Sequence, residues 1–177
     1  MLIGQSMRSD IMAVQKILSL KDLARRLEPL RRDSLRIVHC HGCFDLLHIG
    51  HIRHLQAART MGDVLVVTIT ADDYVDKGEG RPAFSERLRA ETLAALECVD
   101  FVAIAASPTA VEAIRLLRPD YYVKGQIAAD SPSVRFRQEM AMVRAAGGEV
   151  RFTHEVVFSS TELLNAHFRV PRGSSST

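Results

Sequence analysis

The sequence predicts a doubly wound α/β domain on a five-stranded parallel sheet, and three observations carry the prediction. Apolar β-branched runs alternate with amphipathic stretches of helical period along most of the chain. The run Val64-Leu65-Val66-Val67-Thr68-Ile69 lacks polar alternation, the pattern of a strand buried on both faces. A helical stretch separates each strand from the next, as parallel neighbours require. With 177 residues, 47% hydrophobic and 25% charged, the chain suits one domain with a packed core.

Each element has its own signal. Ser19 and Asp22 form a capping box, and Leu20, Leu23, Leu27 and Leu30 follow at helical spacing, giving a helix that ends near 29–32. Residues 35–40 read as a short strand, and a helix from His48 to about Thr60 is broken by Gly62 and Asp63. After the strand at 64–69 comes a glycine-rich loop, Lys77-Gly78-Glu79-Gly80-Arg81-Pro82, then a helix over 85–97 and a strand over 99–104. Ser107-Pro108 reads as an N-cap with proline at the first helical position, opening a helix to Leu117. A strand at 121–123 follows. Ser131-Pro132 then opens a helix that stops at Gly147-Gly148, ahead of a strand over 149–153 and a last helix over 161–168.

Residues 1–16 show no period and contain Met7 and Met12 as alternative starts, so they read as a mobile extension of a domain spanning 17–168. Residues 169–177 read as a flexible tail, and Val170-Pro171-Arg172-Gly173-Ser174 matches the core of a thrombin-cleavage tag.

Charge and composition exclude several functions. The 23 basic and 21 acidic residues are interspersed, and a net charge of +2 gives no footprint for nucleic acid. No apolar run approaches the roughly 18–20 residues that span a bilayer, and the N-terminus lacks a charged region followed by an apolar one. Three cysteines are too few and odd in number for a disulfide framework. The expectation is a cytoplasmic protein with no membrane or nucleic-acid partner.

Histidine points to the chemistry, because five of the seven lie between His39 and His54. In a doubly wound sheet ligands bind beyond the carboxyl ends of the strands, so the turn after the first strand is the default site. It reads His41-Gly42-Cys43-Phe44-Asp45-Leu46-Leu47-His48-Ile49-Gly50-His51. Gly42 permits a tight turn, His48 and His51 share one helical face, and Gly50 removes a side chain that would obstruct a ligand. The helix N-terminus adds unpaired N–H groups and partial positive charge, so the turn suits a polyphosphate. A zinc set drawn from Cys40, Cys43 and the histidines is the alternative, but no pair of CxxC motifs is present. His39, inside the strand, and His54, further round the helix, read as structural.

Three more constellations bear on phosphate. Two glycines let the 77–82 loop close over a ligand, and Lys77, Arg81 and Arg89 could neutralise phosphate charge; the alternative is a solvated basic loop. Arg87 faces elsewhere and reads as surface. Lys124-Gly125 follows the fourth strand at the same sheet edge. Ser159 and Glu162 form a capping box, and the helix N-terminus with the hydroxyls of Ser160 and Thr161 could also cradle a phosphate.

These motifs resemble the HxGH signature of the nucleotidyltransferase superfamily that includes the cytidylyltransferases. Gly42-Cys43-Phe44-Asp45 followed by His48-x-Gly50-His51 is similar to its branch acting on sugar phosphates and alcohol phosphates, and the similarity runs from about Lys16 to Phe168. The chain resembles most the adenylyltransferase domain of bifunctional heptose-phosphate kinase/heptose 1-phosphate adenylyltransferases, with kinase-fused relatives of unassigned substrate at least as similar. It departs from the family after Val-Lys-Gly, reading Gln126-Ile127-Ala128 where Gly-Asp-Tyr is usual.

The resemblance implies a Rossmann-like nucleotidyltransferase of the HxGH type and a reaction. A sugar 1-phosphate attacks the α-phosphorus of a nucleoside triphosphate and pyrophosphate leaves, for nucleotide-sugar synthesis. It implies catalytic roles for His48, His51, Lys77 and Arg89, and substrate contacts for Lys77 and Arg81. Gly42, Cys43, Phe44, Asp45, Gly50, Lys124, Gly125, Ser159, Ser160 and Thr161 would bind the nucleotide, with Asp45 bracing the loop. Mg²⁺ would be held chiefly by phosphate oxygens, with no metal site of the protein's own. The stretch Glu97-Cys98-Val99-Asp100-Phe101 resembles the heptose enzymes and favours ATP over CTP. A homodimer and a sugar-kinase partner are implied as well. The alternatives are a cytidylyltransferase acting on glycerol 3-phosphate or another alcohol phosphate, and a non-catalytic nucleotide-binding module.

Overall fold

The computed structural model describes residues 15–154. Within them the chain runs α1 (Leu20–Arg32), β1 (Ile37–Gly42), α2 (Ile49–Arg59), β2 (Val64–Thr70), a 3₁₀ turn (Asp72–Tyr74), α3 (Glu86–Ala94), β3 (Phe101–Ala105), α4 (Val111–Leu117), β4 (Tyr121–Gly125), α5 (Ile127–Asp130), α6 (Val134–Ala145) and β5 (Glu149–Thr153). The five strands lie in the order β3-β2-β1-β4-β5, all parallel. Strand order therefore reverses between β1 and β4, and a cleft opens there beyond their carboxyl ends. The predicted final helix at 161–168, with its Ser159, Ser160 and Thr161, lies outside the described residues.

Helices cover both faces of the sheet. Val38 and Cys40 of β1 pack with Leu55 and Ala58 of α2 and with Ala90 and Leu93 of α3. On the other face Ile37 and Val66 meet Leu23 and Leu27 of α1 and Leu117 of α4, while Tyr122 packs with Ile114, Phe136 and Val143 between α4 and α6. Every residue of β2 is buried, as its unbroken apolar run predicts. Three aspartates anchor the opposite, amino end. Asp63, Asp120 and Asp100 accept from the N–H groups of Arg36, Ile37 and Leu65 at 2.7, 2.8 and 2.7 Å. Lys16, at the end of the predicted extension, donates to the carbonyls of Leu96 and Val99 at 3.1 and 2.8 Å.

Two predicted helix starts move. Ser107-Pro108 does not cap α4, which begins at Val111; residues 106–110 form bends, and the Ala110 N–H donates instead to buried Glu139 of α6 at 3.0 Å. A tertiary hydrogen bond has overridden a local signal. Ser133, not Ser131, caps α6, its hydroxyl accepting from Phe136 N at 3.1 Å. At the far end Gly147 takes φ +84° past the C-cap Ala146 and stops the helix as the sequence predicts. Among the described residues no helix is long and apolar enough to cross a membrane.

Candidate active site

The segment 43–48 joins β1 to α2 at the carboxyl end of the sheet. Its left-handed residue is Phe44, at φ 48°, rather than a glycine, a conformation that costs roughly 1–2 kcal/mol. Gly42 serves close approach instead, since a Cβ there would lie 3.1 Å from Phe44 Cε2. The Phe44 ring is buried and meets the His51 ring edge-on at 5.2 Å.

His48 sits at the N-cap of α2 and His51 in its first turn, with Gly50 buried between them. Their rings stack with centroids 3.8 Å apart and planes 24° apart, so the pair points together as its spacing predicts. Burial lowers both from the ordinary histidine range, His51 to about 4, and the nearby Lys77 charge lowers them further. Both are neutral at pH 7, so each ring carries one N–H donor. The Cys43 thiol is pushed up by burial in spite of Lys77 and Arg89, so it is not a thiolate nucleophile at neutral pH.

Asp45 braces the glycine-rich loop. Its carboxylate is fully buried, accepting from Ala83 N at 2.6 Å and from Arg81 Nε. Arg81 Nη2 is buried with no hydrogen-bond partner among the described residues. Lys77 is exposed on the same loop, next to Gly78 and Gly80 at φ +88° and +73°.

Arg89 is placed differently from the other predicted cations. The resemblance gives it a phosphate-binding role, yet it is 2% exposed and its guanidinium is spent on protein oxygens. It donates to the carbonyls of Phe84, Cys43 and Thr70 and to Asp72 Oδ1. Asp72 and Glu86 in turn accept from each other's backbone N–H at 3.0 and 2.8 Å. Arg89 thus shapes the turn from behind. Arg87 is on the surface, paired with Glu91.

Across the strand reversal stands Lys124. Its ammonium donates to the His41 carbonyl at 3.1 Å and lies 3.4 Å from Glu139 Oε2. Gly125 follows in open space, and Gln126, where the sequence departs from the family, bonds exposed Asp130 at 3.1 Å. His39 and His41 are buried structural groups sharing the Thr68 hydroxyl at 2.7 and 2.8 Å, and His54 ties α2 to β5 through Thr153 Oγ1 at 2.7 Å. Burial, reinforced by Lys124, depresses all three, His39 to about 3 and His54 to about 4.

The sequence reading passed over Glu139, which the Tyr122 hydroxyl also reaches at 2.8 Å. A signal existed: Phe136, Glu139 and Val143 form the buried stripe of α6, where a carboxylate is out of place. Among the described residues no three His, Cys, Asp or Glu side chains gather as a metal-ligand set. Asp100 of the ATP-favouring stretch holds Leu65 N and pairs with Arg59 at 3.4 Å, at the sheet end away from the cleft.

A stacked pair of neutral imidazoles at a helix N-terminus, beside a glycine-rich loop carrying Lys77 and Arg81, is an arrangement that could receive phosphate groups. Residues 39–175 match the model of the cytidylyltransferase-like family, and the chain belongs to that family of nucleotidyltransferases. It is 47% identical over 109 residues to the bifunctional protein HldE of Syntrophotalea carbinolica, covering 60% of this chain and 22% of that one. To the HldE of Bradyrhizobium it is 46% identical over 131 residues, covering 73% and 26%. To that of Citrifermentans bemidjiense it is 39% identical over 151 residues, covering 84% and 30%. The chain thus spans between 22% and 30% of these relatives' length. The fold is shared with a lipopolysaccharide core biosynthesis protein from Thermoplasma volcanium at TM-score 0.56 and 23% identity, covering 71% of this chain and 99% of that one.

Proposed function

We propose that the protein transfers a nucleoside monophosphate from a nucleoside triphosphate, ATP favoured, to a sugar 1-phosphate such as heptose 1-phosphate. The observation that carries this is the stacked His48–His51 pair at the N-terminus of α2. An acceptor phosphate oxygen bonds the α-phosphorus, the bridging oxygen to the β-phosphorus departs, and pyrophosphate carries the electron pair away. The nucleophile is anionic at pH 7, so no general base is needed, and what the site must supply is alignment and charge stabilisation.

The neutral imidazoles donate N–H bonds to the α- and β-phosphates as charge shifts onto the leaving group. Lys77 supplies mobile positive charge, and Arg81, steadied by Asp45, offers its unpartnered N–H to the acceptor phosphate. Lys124 and Gly125 bound the nucleotide on the other side. The residues suit a Mg²⁺ ion that arrives on the triphosphate, since Asp45 and Asp72 are already committed to Arg81 and Arg89; bound there it neutralises phosphate charge. The preference for ATP rests on the kinship of the 97–101 stretch alone. A cytoplasmic homodimer, supplied with sugar 1-phosphate by a kinase, belongs to the same reading; the relatives' bifunctionality supports the kinase.

The test is pyrophosphate release with Mg²⁺ from ATP, CTP, GTP and UTP, each against heptose 1-phosphate, hexose 1-phosphates and glycerol 3-phosphate. Release with ATP and a sugar 1-phosphate is expected. Turnover with CTP and glycerol 3-phosphate alone would replace the reading with an alcohol-phosphate cytidylyltransferase. Nucleotide binding without release in any pair would make the domain a binding module.

A further inference from the structure

Resting on the nucleotidyl-transfer reading, we propose that Glu139 is a positioning residue whose carboxylate holds the Lys124 ammonium at the β1/β4 reversal, ready to meet a substrate phosphate oxygen. Glu139 lies on the buried stripe of α6 and is 3% exposed. An ionised carboxylate placed there is costly unless its oxygens are satisfied. Three groups from two parts of the chain, the loop before α4 and β4, satisfy it: the Ala110 N–H at 3.0 Å, the Tyr122 hydroxyl at 2.8 Å and the Lys124 ammonium at 3.4 Å.

Packing alone does not call for this charge, because an apolar side chain of similar volume would fill the stripe without any desolvation cost. What the carboxylate adds is a fixed address for a cation. Lysine otherwise carries a point charge on a flexible stem, free to swing into solvent. Here the Glu139 carboxylate pairs with the ammonium, the His41 carbonyl accepts a hydrogen bond from it, and the Tyr122 and Phe136 rings flank it at 5.3 and 5.9 Å. The ammonium, with three donors, keeps N–H capacity for a ligand. Lys124 and Glu139 line, with His41, Gly42 and Thr70, a cleft of about 270 Å³ at the carboxyl end of the sheet. That cleft opens at the β1/β4 reversal, the same carboxyl edge of the sheet from which the turn to His48 and His51 leaves β1.

The experiment combines steady-state kinetics with ¹⁵N-lysine spectra of the full chain, which has only four lysines, Lys16, Lys21, Lys77 and Lys124. In the wild type the Lys124 Nζ signal is expected to be protected from exchange and to shift when MgATP or a sugar 1-phosphate is added. Glu139→Gln should abolish both effects and raise KM for a phosphate substrate about tenfold, while kcat changes less than about threefold. Lys124→Met should raise KM as much, and the double variant no further, since one residue acts through the other. Glu139→Asp, which keeps the charge one methylene back, should restore part of the loss and serves if the Gln variant fails to fold.

A Glu139→Gln penalty undiminished in the Lys124→Met background would overturn the proposal and leave Glu139 a purely structural group. So would a Lys124 signal indifferent to both ligands in the wild type. Wild-type protein that releases no pyrophosphate with any substrate pair, yet shows the Glu139-dependent shift on MgATP, would overturn the transferase reading and leave the positioning role standing.

Discussion

The two sides of the cleft are built in opposite ways. On the α2 side the working groups are neighbours in sequence: Phe44, Asp45, His48, Gly50 and His51 arrive together on one turn, which Arg89 stiffens from behind and Arg81 ties to the glycine-rich loop through Asp45. On the β4 side the groups come from remote elements, with Lys124 and Tyr122 from β4, Glu139 from α6, Ala110 from the loop before α4 and His41 from β1. A contiguous turn keeps its geometry through local backbone and a few braces. An assembled cluster keeps it only if the whole face packs. Substitution should therefore separate the sides, through chemistry on one and through positioning on the other.

The largest effect is expected at the brace of the α2 side. Arg89→Ala would remove a buried guanidinium and leave the carbonyls of Cys43, Thr70 and Phe84 and the partly exposed Asp72 carboxylate without that donor. A loss of about 3–5 kcal/mol is the expectation for breaking such a pair. Urea unfolding measures it, and the fall in activity should track the fall in folded protein. A fully stable Arg89→Ala protein with impaired phosphate affinity would return this arginine to the role the family resemblance gives it.

Next comes the chemistry of the turn. His48→Ala and His51→Ala should each cut kcat for pyrophosphate release about 10²–10³-fold, the scale of removing one transition-state donor. Nucleotide affinity, read by titration, should fall far less, because backbone amides and cations remain. Equal losses in affinity and turnover would instead mark these rings as ground-state binders.

Much of this side was legible because its chemistry is compressed into eleven residues from His41 to His51. Hydrophobic runs likewise reveal the sheet, since every β2 residue is buried. What stayed hidden was long-range. Nothing near Glu139 in the sequence announces Ala110 or Tyr122, and the cap expected at Ser107 gave way to that same carboxylate. The partners of Arg89 were hidden for a related reason. A basic residue at a family position looks alike whether it faces a ligand or three carbonyls, and only burial separates the two.

Acid should distinguish the sides again. His39, His51 and His54 are held by burial at about 3, 4 and 4, against an ordinary value of 6.5. Between these values the unfolded chain binds more protons than the folded one. Stability is therefore full above 6.5 and declines as pH falls toward 4, by about 1.4 kcal/mol per pH unit for each proton of difference. Urea midpoints from pH 7.5 to 4.5 should show this, and His39→Gln should flatten the slope. Saturating MgATP should flatten it too, through His48 and His51, because bound phosphate charge favours their protonation in the folded state. It should leave the His39 contribution in place. A slope unchanged by MgATP would separate the imidazole pair from the phosphates.

The smallest effect is expected where the sides touch. Asp76, beside Lys77 on the α2-side loop, lies 3.7 Å from Arg135 in the first turn of α6, and both side chains are more than half exposed. Exposed pairs contribute about 0–1 kcal/mol, so Arg135→Ala should hardly move stability. Because the pair links the loop to the opposite wall, its removal should speed loop opening and raise KM by less than about threefold, an effect that salt near 1 M reproduces in the wild type by screening. A larger rise that salt does not reproduce would mean that Arg135 contacts the substrate itself, and the β4 side would then carry two working cations.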